Sequence, residues 1–526
     1  MAEKLKRELG VFSLAFIGVI SVIGSGVLVI PAQAASMAGP ASLIAVIIAG
    51  VAMLLFLLMY AELSSEIPVA GGTVVYPDIA NGKIVSSMIG FGLLLAYIIS
   101  PPFVLEVMFS YLSTYFPSLY SNGQLTLLGI FIASLIFLIF YVINVLGVNL
   151  TGILSGIFGA IKVAILTVFI LGLLVLAFHP ANFFSYGGFA PFGFGGVGLA
   201  VSAGGLFFAF TGFRLIVDYA GEARAPKRII PKSIILAVLL VFVVYLLMQI
   251  AFVGSLNWAG LSQYGVSPGS WSSLSNLSSP LSQIASANNL TFLSSLIMFF
   301  AIYSPLVFVI PVLGAEARLM MGLVDNGYLP KFFNRLSKRY KTPYVALTTV
   351  FILTILTLVL MPRYSSILSL VSSAYGFTYL TIGVHYSVIR KHLSPDRFKA
   401  PLGSIIAPIS TILGAFIVIW SGYPYSLYGF LVMLVFLLVY LYYNFSKDKL
   451  KEDLRTGWWF IVFTALLVVI SYLTSPTFGG IGKISLNETY VLVTVISIAF
   501  YFLGVRFSKK ISAIDVKAIS PESGEL

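Results

Sequence analysis

No charged residue occurs between positions 9 and 61, only Glu106 between 84 and 161, and none between 233 and 315. Stretches this long and this free of charge are hydrocarbon-crossing regions. An unsatisfied backbone amide in lipid costs several kcal/mol, so a span must be a helix or part of a closed barrel. These runs lack the alternation of a barrel strand, which leaves helices. Composition agrees: of 526 residues 59% are hydrophobic and 9% charged, and the mean hydropathy is +1.04. No water-soluble fold could cover that apolar surface. The absence of cysteine excludes disulfides, thiolate metal sites and cysteine nucleophiles, and leaves the redox compartment open. The three histidines, His179, His385 and His392, suggest no cluster, so neither a metal site nor an enzyme active centre is expected.

At roughly 20 apolar residues per span, helices are expected near 10–38, 41–64, 86–116, 124–146, 151–178, 197–222, 231–255, 288–321, 343–361, 364–390, 404–421, 424–445, 457–475 and 488–506. The basic N-terminal residues precede an apolar run too long for a signal peptide, which reads as a retained first span. With the N-terminus inside, 26 of the 30 lysines and arginines fall in cytoplasmic segments, while only Arg363 and Lys483 fall outside and Lys162 and Arg214 lie within spans. The positive-inside asymmetry therefore places both termini in the cytoplasm. Basic loops facing an anionic leaflet also account for the net charge of +12 without a nucleic-acid partner. The outer loop over 256–289 is uncharged and Ser-rich, with Asn276 and Asn289 in sequons; it is either a cap over the mouth of the protein or a simple linker.

Two spans look breakable. The first carries Gly24-Ser25-Gly26 near its middle with Pro31 following, and the sixth carries Phe207-Phe208-Ala209-Phe210-Thr211-Gly212-Phe213-Arg214. Unwinding exposes amides at the start of the second half-helix, whose dipole favours a carboxylate, and carbonyls at the end of the first, which suit an ammonium group. Close packing by small residues is the alternative. Breaks five helices apart imply two five-span halves of opposite orientation, with a site between them at the midplane.

Several segments resemble the amino acid-polyamine-organocation superfamily of permeases. They are Gly24-Ser25-Gly26 with Pro31; Tyr60-Ala61-Glu62-Leu63 with Pro68, Ala70-Gly71-Gly72 and Tyr76; Phe208 to Phe213 with Gly221-Glu222, Pro226-Lys227-Arg228 and Pro231; and Arg318 with Asp325-Asn326-Gly327, Leu329-Pro330 and Thr342-Pro343. Val74 stands where many members have tyrosine. The resemblance implies a fold like that of the sodium-coupled leucine transporter: about 14 transmembrane helices, a 5+5 inverted repeat, and discontinuous helices 1 and 6. It divides the chain into a cytoplasmic arm over 1–9, a transport core over 10–390 with repeats 10–178 and 197–390, four peripheral helices over 391–507, and a cytoplasmic tail over 508–526. Two of those helices exceed the twelve of most members. An amino acid carboxylate would then meet the amides of Ser25 and Gly26, and its ammonium the carbonyls near Val22, Phe208 and Thr211. Gly24, Ala209 and Gly212 would shape the site, and Phe208 would gate it.

Lys162 falls mid-span in the fifth helix, about eleven residues from either border. Burial of a lone lysine there is costly and favours the uncharged amine. In the resembled family a lysine at this place accompanies proton coupling, so Lys162 is expected either to carry the coupled proton or to be a structural cation held by first-helix carbonyls. Arg214 stands where many relatives have an acidic residue. It is expected either to pair with Asp218 on the same helical face or to meet the side-chain carboxylate of an acidic substrate. Glu106 has no partner by spacing and is either a silent acid or a second proton site. His385 is expected at the inner membrane interface. Glu62, Glu222 and Asp325 at cytoplasmic ends are expected in ion pairs, structural or gating.

The expected function is a plasma-membrane secondary active amino acid permease, proton-coupled by symport, with no cofactor and H+ favoured over Na+ as the coupling ion. Exchange, a transporter-like sensor, and acidic rather than neutral substrates stay open. A channel would show a filter or rings of like charge.

Overall fold

The computed structural model describes residues 5–113, 116–121, 124–360, 375–443 and 447–512. Arg363, the first part of the span expected over 364–390, and most of the tail expected over 508–526 lie outside the described residues. Each expected span is mostly helical over its described residues. The first is split into α1 (Val11–Val22) and α2 (Gly26–Ala38), and α3 is Ser42–Glu66. Then follow α4 (Gly72–Leu112), α5 (Leu127–Val145) and α6 (Val148–Leu176). The sixth span comprises α7 (Gly193–Val201), α8 (Leu206–Phe210), a 3₁₀ turn over Thr211–Arg214 and α9 (Leu215–Asp218). Next come α10 (Pro226–Gly254), the short outer α11 (Trp258–Leu261) and α12 (Pro280–Ala287), α13 (Thr291–Asp325) and α14 (Tyr344–Leu360). The described chain closes with α15 (Ile382–Ile389), α16 (Gly403–Trp420), α17 (Tyr425–Tyr443), α18 (Lys447–Leu473) and α19 (Leu486–Arg506). Sheet is confined, among the described residues, to a two-stranded ribbon of Tyr120–Ser121 with Gln124–Leu125.

Among the described residues, ten helices can by length and composition cross a membrane, or eleven with the bent α7–α9 counted as one. The span expected over 364–390 is described only from residue 375 and does not enter this count. The break leaves α1 too short, α2 runs into α3 through the turn Gly39–Ala41, and α14 falls just short of a full span. The chain is an all-α multi-pass membrane protein. Phe131 and Leu138 of α5, Leu171 and Val175 of α6, and Val495 and Phe502 of α19 are exposed. Large apolar side chains in such rows are stable against lipid and not against water. α4 is the opposite case: 94% of its most apolar window is buried, against 28% for α5. α4 is thus the central post, with α13 packed along it.

Two glycines set hinges. Gly82 (φ +81°) interrupts α4 and separates a short helix over 72–81 from the spanning part. Gly205 (φ +82°) ends the break over 202–205, where α7 and α8–α9 meet at 41°. The main bend of the sixth span is therefore at Ser202-Ala203-Gly204-Gly205 and not at Gly212, because a left-handed residue stops a helix while Gly212 continues as a 3₁₀ turn.

The loop over 256–289 is folded and packed against its neighbours. Trp271 is buried, donates Nε1–H to the Tyr186 carbonyl at 2.7 Å, and meets Trp258 edge-on beside Gly39, at the end of α2. α18, α19 and the residues after α19 are anchored beside the Gly82 hinge. Lys83 N–H donates to Asp453 Oδ1 at 3.2 Å, Asn81 Nδ2 to the Gly504 carbonyl at 3.0 Å, and Lys509 N–H to the Ala80 carbonyl at 2.7 Å. Lys509 Nζ also pairs with Asp78 at 3.1 Å.

Candidate functional site

The first-span break is read directly from its hydrogen bonds. Ile23 N–H closes α1 on the Val19 carbonyl at 2.8 Å, Gly24 N–H turns back to Val22 at 2.9 Å, and the next bond runs from Leu28 N–H to Ser25 at 3.0 Å. The amides of Ser25, Gly26 and Val27 are left without a backbone acceptor among the described residues, as the first amides of a helix must be. The carbonyl of Ile23, freed from the helix ladder, accepts from Lys162 Nζ at 2.6 Å and Ser304 Oγ at 3.0 Å.

A small cavity lies against this break. Its lining comes from Ser21, Val22, Gly24 and Gly26 of the first span; Phe208, Ala209, Thr211, Gly212 and Leu215 of the sixth; Tyr97, Ser100 and Val104 of α4; Phe308 and Val312 of α13; and Tyr375. The two spans touch at Gly212, where a Cβ would fall on the Ser21 carbonyl and 2.7 Å from Val22 N. Phe208 stands edge-on to Phe103, with centroids 5.7 Å apart, and 6.3 Å from Tyr375.

Of the site residues expected from sequence, Val22, Gly24, Gly26, Phe208, Ala209, Thr211 and Gly212 line this cavity. Ser25 is fully buried behind the break and Arg214 lies off the lining. Two expected ammonium acceptors are partly taken: the Val22 carbonyl accepts from Tyr245 Oη at 2.9 Å as well as from Gly24, and the Phe208 carbonyl accepts Thr211 Oγ1 at 2.8 Å. The contributions of α4, α13 and Tyr375 carried no sequence motif beyond Ser100-Pro101-Pro102, a second polar and helix-weakening patch within a span.

Lys162 is fully buried, with Nζ on the carbonyls of Ile20 (3.4 Å) and Ile23 (2.6 Å). Arg214 is also fully buried. It donates Nη1–H to Thr378 Oγ1 at 2.6 Å and Nη2–H to Tyr60 Oη at 2.8 Å, and its guanidinium lies 4.1 Å from the Tyr379 ring centre. Asp218 takes no part in that set. Thr73 Oγ1 and Tyr97 Oη each donate to its carboxylate at 2.8 Å. The direct Arg214–Asp218 pair expected from the four-residue spacing is therefore not formed: both side chains find nearer hydroxyls on other helices.

One end of the bundle is latched. Arg318 grips Glu222 with two bonds of 2.6 and 2.9 Å, lies 4.0 Å from the Tyr219 ring centre, and donates to its own Gly314 carbonyl. Both partners are buried. The N-terminal arm closes over them, with Glu8 and Leu9 N–H on the Glu222 carbonyl at 3.0 Å and Leu9 bridged to Ala223. Glu62 is fully buried under Tyr386, Arg390, Arg397 and the Ala400 amide. Asp325 accepts from Asn334 Nδ2 at 2.5 Å. Glu106 is buried in α4. His385, expected at the interface, is instead 1% exposed among packed helices. No group of three or more metal-ligating side chains occurs among the described residues.

Residues 9–426 match the family model described as amino acid permease. Full-length relatives include the glutamate/serine transporter AimA of Bacillus subtilis, 31% identical over 96% of this chain and 94% of its own. The aspartate-proton symporter of the same organism is 31% identical over 97% and 98%. Its branched-chain amino acid permease BcaP is 25% identical over 86% and 96%.

Proposed function

This chain belongs to the amino acid permease family, and from that premise we propose that it is a proton-coupled amino acid transporter of the plasma membrane, working by alternating access. The observation that carries the reading is the cavity walled by both broken spans, with the amides of Ser25 and Gly26 free of backbone acceptors beside it. Those amides and the α2 dipole suit the substrate carboxylate. Opposite them, carbonyl oxygens near Thr211 suit the ammonium, since those of Val22 and Phe208 are already engaged. The family's relatives are transporters and not enzymes.

The architecture proposed around this site has fourteen spans, ten of them in a 5+5 inverted core over 10–390, with the helices of 391–507 peripheral and both termini cytoplasmic. Its support is the matching placement of helices and the clustering of basic residues on one side of the chain.

The coupling residue in this proposal is Lys162. Its hold on the Ile23 carbonyl ties its charge to the break itself: a protonated amine braces the carbonyls of Ile20 and Ile23, and proton loss releases them. The substrate proposed is an acidic amino acid, with serine-sized polar ones as the second reading. Arg214 supports the first, as a buried guanidinium on the residue before the cavity-lining Leu215 that meets hydroxyls and a ring in place of a carboxylate. The names of two relatives, a glutamate/serine transporter and an aspartate-proton symporter, support both.

Uptake of labelled amino acids into proteoliposomes tests this. Aspartate or glutamate should accumulate under an imposed pH gradient and not under a sodium gradient, and both should out-compete leucine and alanine. No accumulation under either gradient, with no exchange against internal substrate, rejects the transporter reading. Lys162→Ala should lose proton-driven accumulation, and an unchanged pH profile would remove Lys162 from the mechanism. Arg214→Lys should weaken acidic uptake at least about tenfold, the size of one lost charge-assisted bond, and leave neutral competitors unaffected if the acidic reading holds.

A further inference from the structure

Glu316, on α13, is a fully buried acid that the site described above does not use. Among the described residues neither carboxyl oxygen has a hydrogen-bond partner, whereas Glu62, Asp218 and Glu222 all have theirs. A carboxylate stripped of water and given no donor is strongly disfavoured inside a membrane, while a carboxylic acid is tolerated. Its place in the fold is what gives this meaning. Phe308 and Val312 line the cavity, and Glu316 follows Val312 by one helical turn in the direction of Arg318, which holds the Glu222 latch. Glu316 thus stands on α13 between the cavity-lining Val312 and Arg318 of the latch.

We propose that Glu316 is a second proton-carrying residue, holding its proton while the latch is closed and releasing it to water that enters when the latch opens. The O–H bond breaks and the proton passes to that water as hydronium, leaving a hydrated carboxylate; the acid is re-formed when the carboxylate takes a proton from a hydronium that reaches it from the opposite side of the membrane once the latch has closed. This rests on the proton-coupled reading and adds to it a site separate from Lys162.

The elements packed on α13 bring Tyr219 and Asp218 from the sixth span, Tyr97 and Glu106 from α4, and Lys162 from α6. Tyr219 shares an electrostatic environment with Glu316, but donates its own hydroxyl to the Pro311 carbonyl at 2.9 Å. Tyr97 donates to Asp218, and Lys162 to first-span carbonyls, so these groups leave Glu316 without a donor. Arg318 on the same helix is committed to Glu222 and Gly314.

The test combines infrared difference spectroscopy on the reconstituted protein with uptake driven by a pH gradient. Wild type should show a protonated-carboxyl C=O band that disappears in Glu316→Gln and returns, shifted, in Glu316→Asp. It should weaken when the latch is opened by Glu222→Gln. Glu316→Gln, checked for monodisperse elution, should lose at least about tenfold in gradient-driven accumulation and flatten the pH profile, with Glu316→Asp restoring part of both. A Glu316→Gln protein with the wild-type pH profile, or an infrared band unchanged by the substitution, overturns the proposal. If wild type itself ignores the pH gradient, the coupling reading fails and this proposal with it, an outcome distinct from a wild type that responds beside a variant that responds equally.

Discussion

Gly212 shows how a single hydrogen atom can hold a site together. The first and sixth spans approach so closely there that a methyl group would strike the backbone of Ser21 and Val22, and backbone cannot step aside as a flexible side chain can. Gly212→Ala should therefore separate the two breaks and lower transport at least tenfold, with little change in the thermal midpoint because the surrounding helices remain packed. Uptake rates and a melting curve measured on the same preparation check this, and a variant with near-normal uptake would show that the contact is not needed. Glycines and serines at the first break are visible in sequence because they are locally unusual inside an apolar run. The company kept by Arg214 is not visible in the same way. Tyr60, Thr378 and Tyr379 are more than 150 positions from it, and only packing decides that they arrive before Asp218, four residues away.

Whole elements bear on the site through two attachments at its latched end. The Arg318–Glu222 pair is buried, so removing one partner leaves an uncompensated charge, which typically costs about 3–5 kcal/mol. Glu222→Ala should favour the state in which that end is open, where water can reach Arg318. The chain has no native cysteine, so a single cysteine placed at Ser21 is an unambiguous reporter of access, and its labelling should speed up in the Glu222→Ala background. Labelling at the unaltered rate would show that the pair is not a latch. The second attachment is made by the peripheral helices. Asp453 of α18 accepts both Lys83 N–H, just past the Gly82 hinge, and Tyr440 Oη at 2.5 Å. Asp453→Ala should leave both donors unsatisfied and cost about 1–3 kcal/mol for each one that stays buried. A lower thermal midpoint in detergent is the expected result. α18 and α19 thus have a structural position at the foot of α4, which no periodicity in their sequence announces.

Across the molecule, the apolar runs and the break in the first span are legible residue by residue, while the sixth-span bend is displaced from where its glycine pattern puts it. Gly212 looks like the weak point because it interrupts an aromatic run. The chain actually turns at Gly204-Gly205, where a left-handed glycine ends one helix and lets another begin at 41°. Orientation is a prediction at this scale. A cysteine at Ser272 in the loop over 256–289 should react with an impermeant reagent added to intact cells, and one at Ser337, in the basic loop before α14, should not. The reverse result would invert the topology.

By itself the sequence determined that this chain is a bundle of membrane helices, and it marked Gly24-Ser25-Gly26 as a place where one of them can open. Each follows from a local cost: charge or unpaired backbone in hydrocarbon is expensive wherever it occurs, so spans and weak points are written in consecutive residues. Tertiary structure decided the rest: that the cavity takes walls from α4 and α13, that Lys162 reaches the Ile23 carbonyl, that Arg214 and Asp218 stay apart, and that Glu316 has no donor. A buried polar group is satisfied by whatever the packing of distant helices brings within about 3 Å, and no stretch of consecutive residues contains that information.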